Sequence, residues 1–177
     1  MFRHFDSEAR QALTQANHDA YWMRHKHIGP EHLLLGMAVQ ETGLAGGVLA
    51  ALGLKVADLR ERVVAEGGSP DGTFGPEAPA RRGSDVNAGT GMPGRMPQRS
   101  PFRIGGDVPF NASAKRSVKL ASRAAAAFKS SGVSTGHLLL GVLDADGDNA
   151  TLRILSDADV DVSVLREELA RRLRSAA

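Results

Sequence analysis

Four histidines crowd the first third of the chain, His18, His25, His27 and His32, and clustered imidazoles are the side chains most apt to hold a transition metal. Their spacing matches no common site. The expected arrangement is bend histidines open to solvent, with His32 packed or hydrogen-bonded, and no metal. Covalent chemistry finds even less support. The chain has no cysteine, which removes thiolate nucleophiles, disulfides and cysteine-based zinc sites together and fits a reducing compartment. There is no GxxxxGK[ST] phosphate loop, no GxSxG elbow and no HExxH pair. A chain with this inventory is expected to bind rather than to catalyse, and to need no cofactor.

The elements that carry these residues occur twice. Residues 5–39 and 110–144 align without a gap: Phe5 falls on Phe110, Ala16 on Ala121, Ala20 on Ala125, and His32-Leu33-Leu34-Leu35-Gly36 on His137-Leu138-Leu139-Leu140-Gly141. His137 therefore repeats His32, which favours a structural role for both. In each copy small and apolar residues recur every three or four positions (Ala9, Leu13, Ala16, Ala20, Met23; Ala114, Val118, Ala121, Ala125, Phe128), the period of an amphipathic helix. Asp6 and Asn111 precede these helices as N-caps. After a polar bend a second helix is predicted, with Pro30 in its first turn and Ser134 or Thr135 as the cap in the second copy. The triple leucines are expected in the core. Gly36 and Gly141 break the helical pattern, where glycine costs about 1 kcal/mol against alanine, so close helix packing is expected to offset them.

The likeness continues with one extra residue in the second copy: Val48-Leu49 matches Ile154-Leu155, Leu54 matches Val160, and Leu59-Arg60 matches Leu165-Arg166. Gly53 is expected to stop a third helix, with Asp157-Ala158-Asp159 in its place in copy two, so each copy holds four helices. Three divisions follow: residues 1–66, a linker over 67–108, and 109–177. The linker holds ten of the twenty glycines and six of the eight prolines. Such a composition cannot repay the entropy of ordering and predicts a long disordered insertion.

A formal charge of +2, with both signs interspersed through the repeats, offers no face for tracking phosphates, so nucleic acid is not an expected partner. The longest uncharged apolar stretch falls well short of the roughly 20 residues that cross a bilayer. Arg3, Asp6, Glu8 and Arg10 do not read as a secretory signal. A cytoplasmic location is the expectation, away from any membrane.

The residues Met1-Phe2, Phe5, Ala9-Arg10, Ile28-Gly29-Pro30-Glu31-His32-Leu33-Leu34-Leu35-Gly36, Leu49, Leu52-Gly53 and Leu59-Arg60 resemble the Clp repeat, the amino-terminal domain of Clp AAA+ unfoldases, and the ClpC type most of all. Val108-Pro109-Phe110, Ala114-Lys115 and His137 to Gly141 resemble that family's second repeat. The resemblance covers everything but the linker. It implies an all-α fold, a pseudo-twofold pair of four-helix repeats packed as one domain, which in the family docks substrates and adaptors onto an ATPase ring feeding a protease. With the second repeat reaching Ala177, the expected form is a stand-alone platform without the motor. Its implied partners are Clp substrates, adaptors or Clp ATPase components.

The resemblance also implies sites. ClpC-type platforms bind phosphoarginine through a glutamate at the start of each repeat's second helix. Glu31 matches it, while Gly136 stands there in copy two; the preceding family threonine is Pro30 in copy one and Thr135 in copy two. Glu31 is thus either a ligand contact or a carboxylate favoured by its helix N-terminus. A second family surface, between the first helices of the two copies, takes cyclic peptide antibiotics. Phe2, Arg10, Phe110 and Lys115 match positions used there, although Lys119 replaces the usual glutamate. Phe2 and Phe110 read equally well as core or rim aromatics.

Overall fold

The structure, a computed structural model, describes residues 4–40, 42–67, 108–145 and 150–176. Phe2 and nearly all of the linker predicted over 67–108 lie outside the described residues. Within them the chain forms eight α-helices and no strand: α1 Ser7–Trp22, α2 Pro30–Ala38, α3 Leu44–Ala51, α4 Val56–Gly67, α5 Ala112–Ala127, α6 Thr135–Leu143, α7 Ala150–Asp157 and α8 Val162–Ala176. The first four belong to one repeat and the last four to the other.

Each repeat starts with the cap its sequence offers. The Ala9 N–H donates to Asp6 Oδ1 at 2.7 Å, and the Ala114 N–H donates to Asn111 Oδ1 at 2.8 Å. The helices end alike, with Arg24 and Lys129 in the left-handed region at φ 56° and 55°. Glycine then lets α2 lie against α1 and α6 against α5. A Cβ on Gly36 would stand 2.1 Å from the Ala12 carbonyl oxygen, and one on Gly141 would stand 2.2 Å from that of Ser117. These contacts offset glycine's poor helix propensity, as the pattern required. Gly53 (φ 76°) closes α3, and Asp159 (φ 54°) does the same after α7.

The helices α2 and α6 form the centre, packed on each other and on helices of both repeats. Their leucines, Leu33 to Leu35 and Leu138 to Leu140, are buried, each contributing about 1.5 to 3 kcal/mol. The repeats are also clasped through exchanged backbone. Val133 N–H donates to the His4 carbonyl at 2.7 Å and Asp6 N–H to that of Val133 at 3.1 Å. Reciprocally, Ile28 N–H donates to the Pro109 carbonyl at 2.8 Å and Asn111 N–H to that of Ile28 at 3.0 Å. The lead-in of each repeat thus pairs with the bend of the other. An ion pair of 2.7 Å between Glu66 of α4 and Arg153 of α7 adds a further link.

Candidate functional site

Glu31 is the second residue of α2, where an acidic group favours the helix dipole. Its carboxylate nevertheless folds inward, with Oε1 at 2.9 Å from His32 Nδ1 and the side chain only 16% exposed. Buried His32 is a hub: the Gly29 N–H donates to its Nδ1 at 3.0 Å, and its Nε2 lies 2.8 Å from His25 Nδ1. Gly29 makes this possible because a Cβ there would meet the two Glu31 carboxylate oxygens at 2.1 and 2.3 Å. Burial pushes the Glu31 carboxyl up, but hydrogen bonding to His32 and its charge, with smaller help from the backbone and His25, hold it below the usual carboxylate range. Burial also lowers His25, as does the neighbouring His32, while Glu31 pulls the other way.

The bend histidines are therefore not all open to solvent. His27 is exposed, but His25 is half-buried and belongs to a Glu31–His32–His25 chain, because the end of α1 turns it back over α2. His18 is also half-buried, accepting from the Trp22 indole N–H. Among the described residues no three histidine, aspartate or glutamate side chains are arranged to hold a metal.

In the second repeat hydroxyls replace the ionisable partners. Ser134 Oγ lies 2.8 Å from His137 Nδ1, the Ser134 N–H donates to the same nitrogen at 3.1 Å, and His137 Nε2 lies 3.2 Å from Ser130 Oγ. Burial lowers His137, partly offset by the charge of Asp6. The Glu31 carboxylate thus occupies the place beside His32 Nδ1 that the Ser134 hydroxyl occupies beside His137 Nδ1, although the sequences align Glu31 with Gly136. A side chain at 136 would press on two leucines: a Cβ there would lie 2.6 Å from Leu44 Cδ2 and 3.1 Å from Leu173 Cδ2. Thr135 faces the other repeat, its Oγ1 accepting from the Ala45 N–H at 3.3 Å at the start of α3.

The second predicted surface is spread out. Arg10 on α1 and Lys115 on α5 are exposed, as is Lys119, and Phe110 is half-buried in the lead-in to α5. The helices α1 and α5 do not pack on each other; α2 and α6 touch both. Sequence reasoning passed over a different group, Asp19, Trp22 and Arg60, which line a recess between α1 and α4. The available signal was asymmetry, since Ala124 and Ala127 stand at the positions of Asp19 and Trp22.

Comparison with known proteins places this geometry. Residues 4–158 match the family described as the Clp repeat (R) N-terminal domain. A probable ATP-dependent Clp protease ATP-binding subunit of Chlamydia pneumoniae is 27% identical over 175 residues, 99% of this chain and 17% of that protein. Chloroplastic chaperone ClpC of Pisum sativum is 25% identical over 177 residues, 100% of this chain and 16% of the relative. The chain thus spans less than a fifth of these relatives. Among solved structures, the N-terminal domain of ClpD from Arabidopsis thaliana superposes with a TM-score of 0.67 at 19% identity, covering 98% of this chain and 97% of that one. The Hsp104 N-terminal domain from Candida albicans gives 0.62 at 14% identity, covering 94% and 89%. At these identities the likeness concerns the fold.

Proposed function

We propose, from the premise that this chain belongs to the Clp repeat (R) N-terminal domain family, that it is a non-catalytic module binding proteins or peptides in Clp-dependent proteolysis. It acts there, in the cytoplasm, as accessory, adaptor or competitor, and its partners are Clp substrates, adaptors or Clp ATPase components. The observation that carries the reading is the complete repeat pair. Both copies are clasped by exchanged backbone, and the histidines at their equivalent positions, His32 and His137, serve internal caps at the two helix starts. A degradation assay with a ClpC-type ATPase, its protease and a tagged substrate tests it. Saturating amounts of this chain should slow degradation if it competes and speed it if it delivers. An unchanged rate with no binding to substrate or ATPase overturns the reading.

Within that function, Glu31 is the proposed contact for phosphoarginine, since a carboxylate and a guanidinium form a two-pronged pair. Glu31 is held by His32, so a ligand has to displace that partner, which lowers affinity. Calorimetric titration with a phosphoarginine peptide, its unmodified counterpart and the Glu31→Ala variant decides this. Selective binding lost in the variant supports the contact, and binding unchanged by it removes the contact.

A second reading, sequestration of cyclic peptide antibiotics, draws on the exposure of Arg10 and Lys115 at matching points of α1 and α5, beside half-buried Phe110. A ligand at 100 times its Kd adds about 2.7 kcal/mol to stability. A melting temperature that does not rise on adding such a peptide removes this reading.

A further inference from the structure

The recess between α1 and α4 has a volume of about 300 Å³, and its walls include His18, Asp19 and Trp22 from one helix and Arg60 and Glu61 from the other. The two helices do not pack directly; a 3.3 Å ion pair between Arg60 and Asp19 spans the gap. Asp19 is 5% exposed. Its Oδ1 accepts from Gln15 Nε2 at 3.1 Å and from Arg60, whereas its Oδ2 is sealed from solvent and has no hydrogen-bond partner. A buried carboxylate oxygen left without a donor is costly. Trp22, by contrast, is 40% exposed, and its single polar atom is already engaged by His18. What it presents to the recess is the ring.

We propose that this recess binds an extended peptide segment through an arginine side chain, whose guanidinium takes the place of Arg60 on the Asp19 carboxylate and lies against the Trp22 ring. The charges agree. Among the described lining residues Asp19 and Glu61 bring two carboxylates against one cation, Arg60, whose side chain is half exposed. A planar cation gains from both an aromatic face and a carboxylate, and guanidinium does so better than ammonium. The fold itself does not demand these residues. In the second repeat Arg123, Ala124 and Ala127 replace His18, Asp19 and Trp22, and Arg166, the counterpart of Arg60, turns to the Leu143 carbonyl and Asp144. The same four helices form there without them.

The inference rests on the reading of this chain as a peptide-binding module but not on Glu31. Trp22 is the only tryptophan, so its fluorescence reports on the recess directly. The probe is a short capped peptide with one central arginine, compared with versions carrying lysine or uncharged citrulline, and binding is cross-checked by calorimetry. A saturable change is expected with arginine, a weaker one with lysine and none with citrulline. Asp19→Asn should weaken binding roughly tenfold, the loss of a charged hydrogen-bond partner. Should Asp19→Asn fail to fold, Glu61→Gln at the exposed wall carries that arm, with a smaller loss expected. Equal binding of the citrulline peptide, indifference to these substitutions, or no saturable binding overturns the site. Altered Clp degradation alongside such a result would leave the broader function standing.

Discussion

The segments 29–32 and 134–137 open equivalent helices and reach the same end by different chemistry. Gly29 with Glu31 places a carboxylate on His32 Nδ1; Ser134 with Gly136 places a hydroxyl on His137 Nδ1. The unit preserved between the copies is an oxygen at that nitrogen, supplied from either of two positions. Alignment by number therefore misleads here. Gly136 lies under Leu44 and Leu173, so a glutamate there would have to displace their side chains.

The harshest break of this comparison is Gly136→Glu. It forces a Cβ against the Leu44 and Leu173 side chains. Overpacking typically costs about 1 to 3 kcal/mol, and a loss in that range is expected from the urea unfolding midpoint. A stable Gly136→Glu protein would show that the two leucines do not close the site.

The exchange itself can be tested by a double-mutant cycle. Gly29→Ser alone places its side chain where the Glu31 carboxylate lies, although the backbone at φ −100° accepts serine. It should therefore destabilise, by roughly 1 to 2 kcal/mol. Combined with Glu31→Gly it recreates the second repeat's arrangement and should recover most of that loss. The expected coupling is on the order of 1 to 2 kcal/mol. Additive effects would mean that the carboxylate and hydroxyl roles are unrelated.

Much of the fold was legible because its determinants are local. The caps Asp6 and Asn111, the helical period, the buried leucines and the close approach at Gly36 and Gly141 depend on residues a few positions apart or on plain steric logic. What escaped involves distant partners. The exchange of backbone hydrogen bonds by the His4 and Pro109 lead-ins joins residues more than a hundred positions apart in one case, and nothing in either segment announces it. The Glu31 carboxylate reaches back two positions to fill the space at Gly29, which a position-by-position comparison cannot see. The choice between Ser134 and Thr135 as a cap dissolves in the structure: Ser134 serves its own helix through His137, and Thr135 serves α3 of the other repeat. The Trp22 recess needs α4 beside α1, which only the folded chain provides.

Thr135 also gives a smaller test of asymmetry. Its hydroxyl accepts from Ala45 N–H, whereas the equivalent Pro30 offers no side-chain acceptor to α7. Thr135→Val keeps the shape and deletes that acceptor, leaving a buried N–H without it. A loss of about 1 kcal/mol is expected, with faster amide exchange at Ala45. Unchanged exchange there would mean that the bond contributes nothing to α3.

The mildest test uses acid, because only the first repeat places a carboxylate in its histidine chain. His25 and His137 both titrate below the ordinary histidine value of 6.5 in the folded protein. The unfolded chain therefore binds more protons once pH falls below 6.5, and stability drops through that window in both repeats. Glu31 adds a second window in the first repeat alone. Its folded value lies below the ordinary 4.5, so the stability it contributes is complete above 4.5 and is lost as pH falls through the folded value. Glu31→Gln should abolish this second component, so that variant and parent converge in stability at the acid end. It should also deepen the first window, because Glu31 is the group that raises His25 against burial and His32. Urea midpoints measured from pH 7 downward separate the two effects. Parallel curves for parent and Glu31→Gln would mean that the inward-facing carboxylate does no more electrostatic work than the Ser134 hydroxyl it parallels.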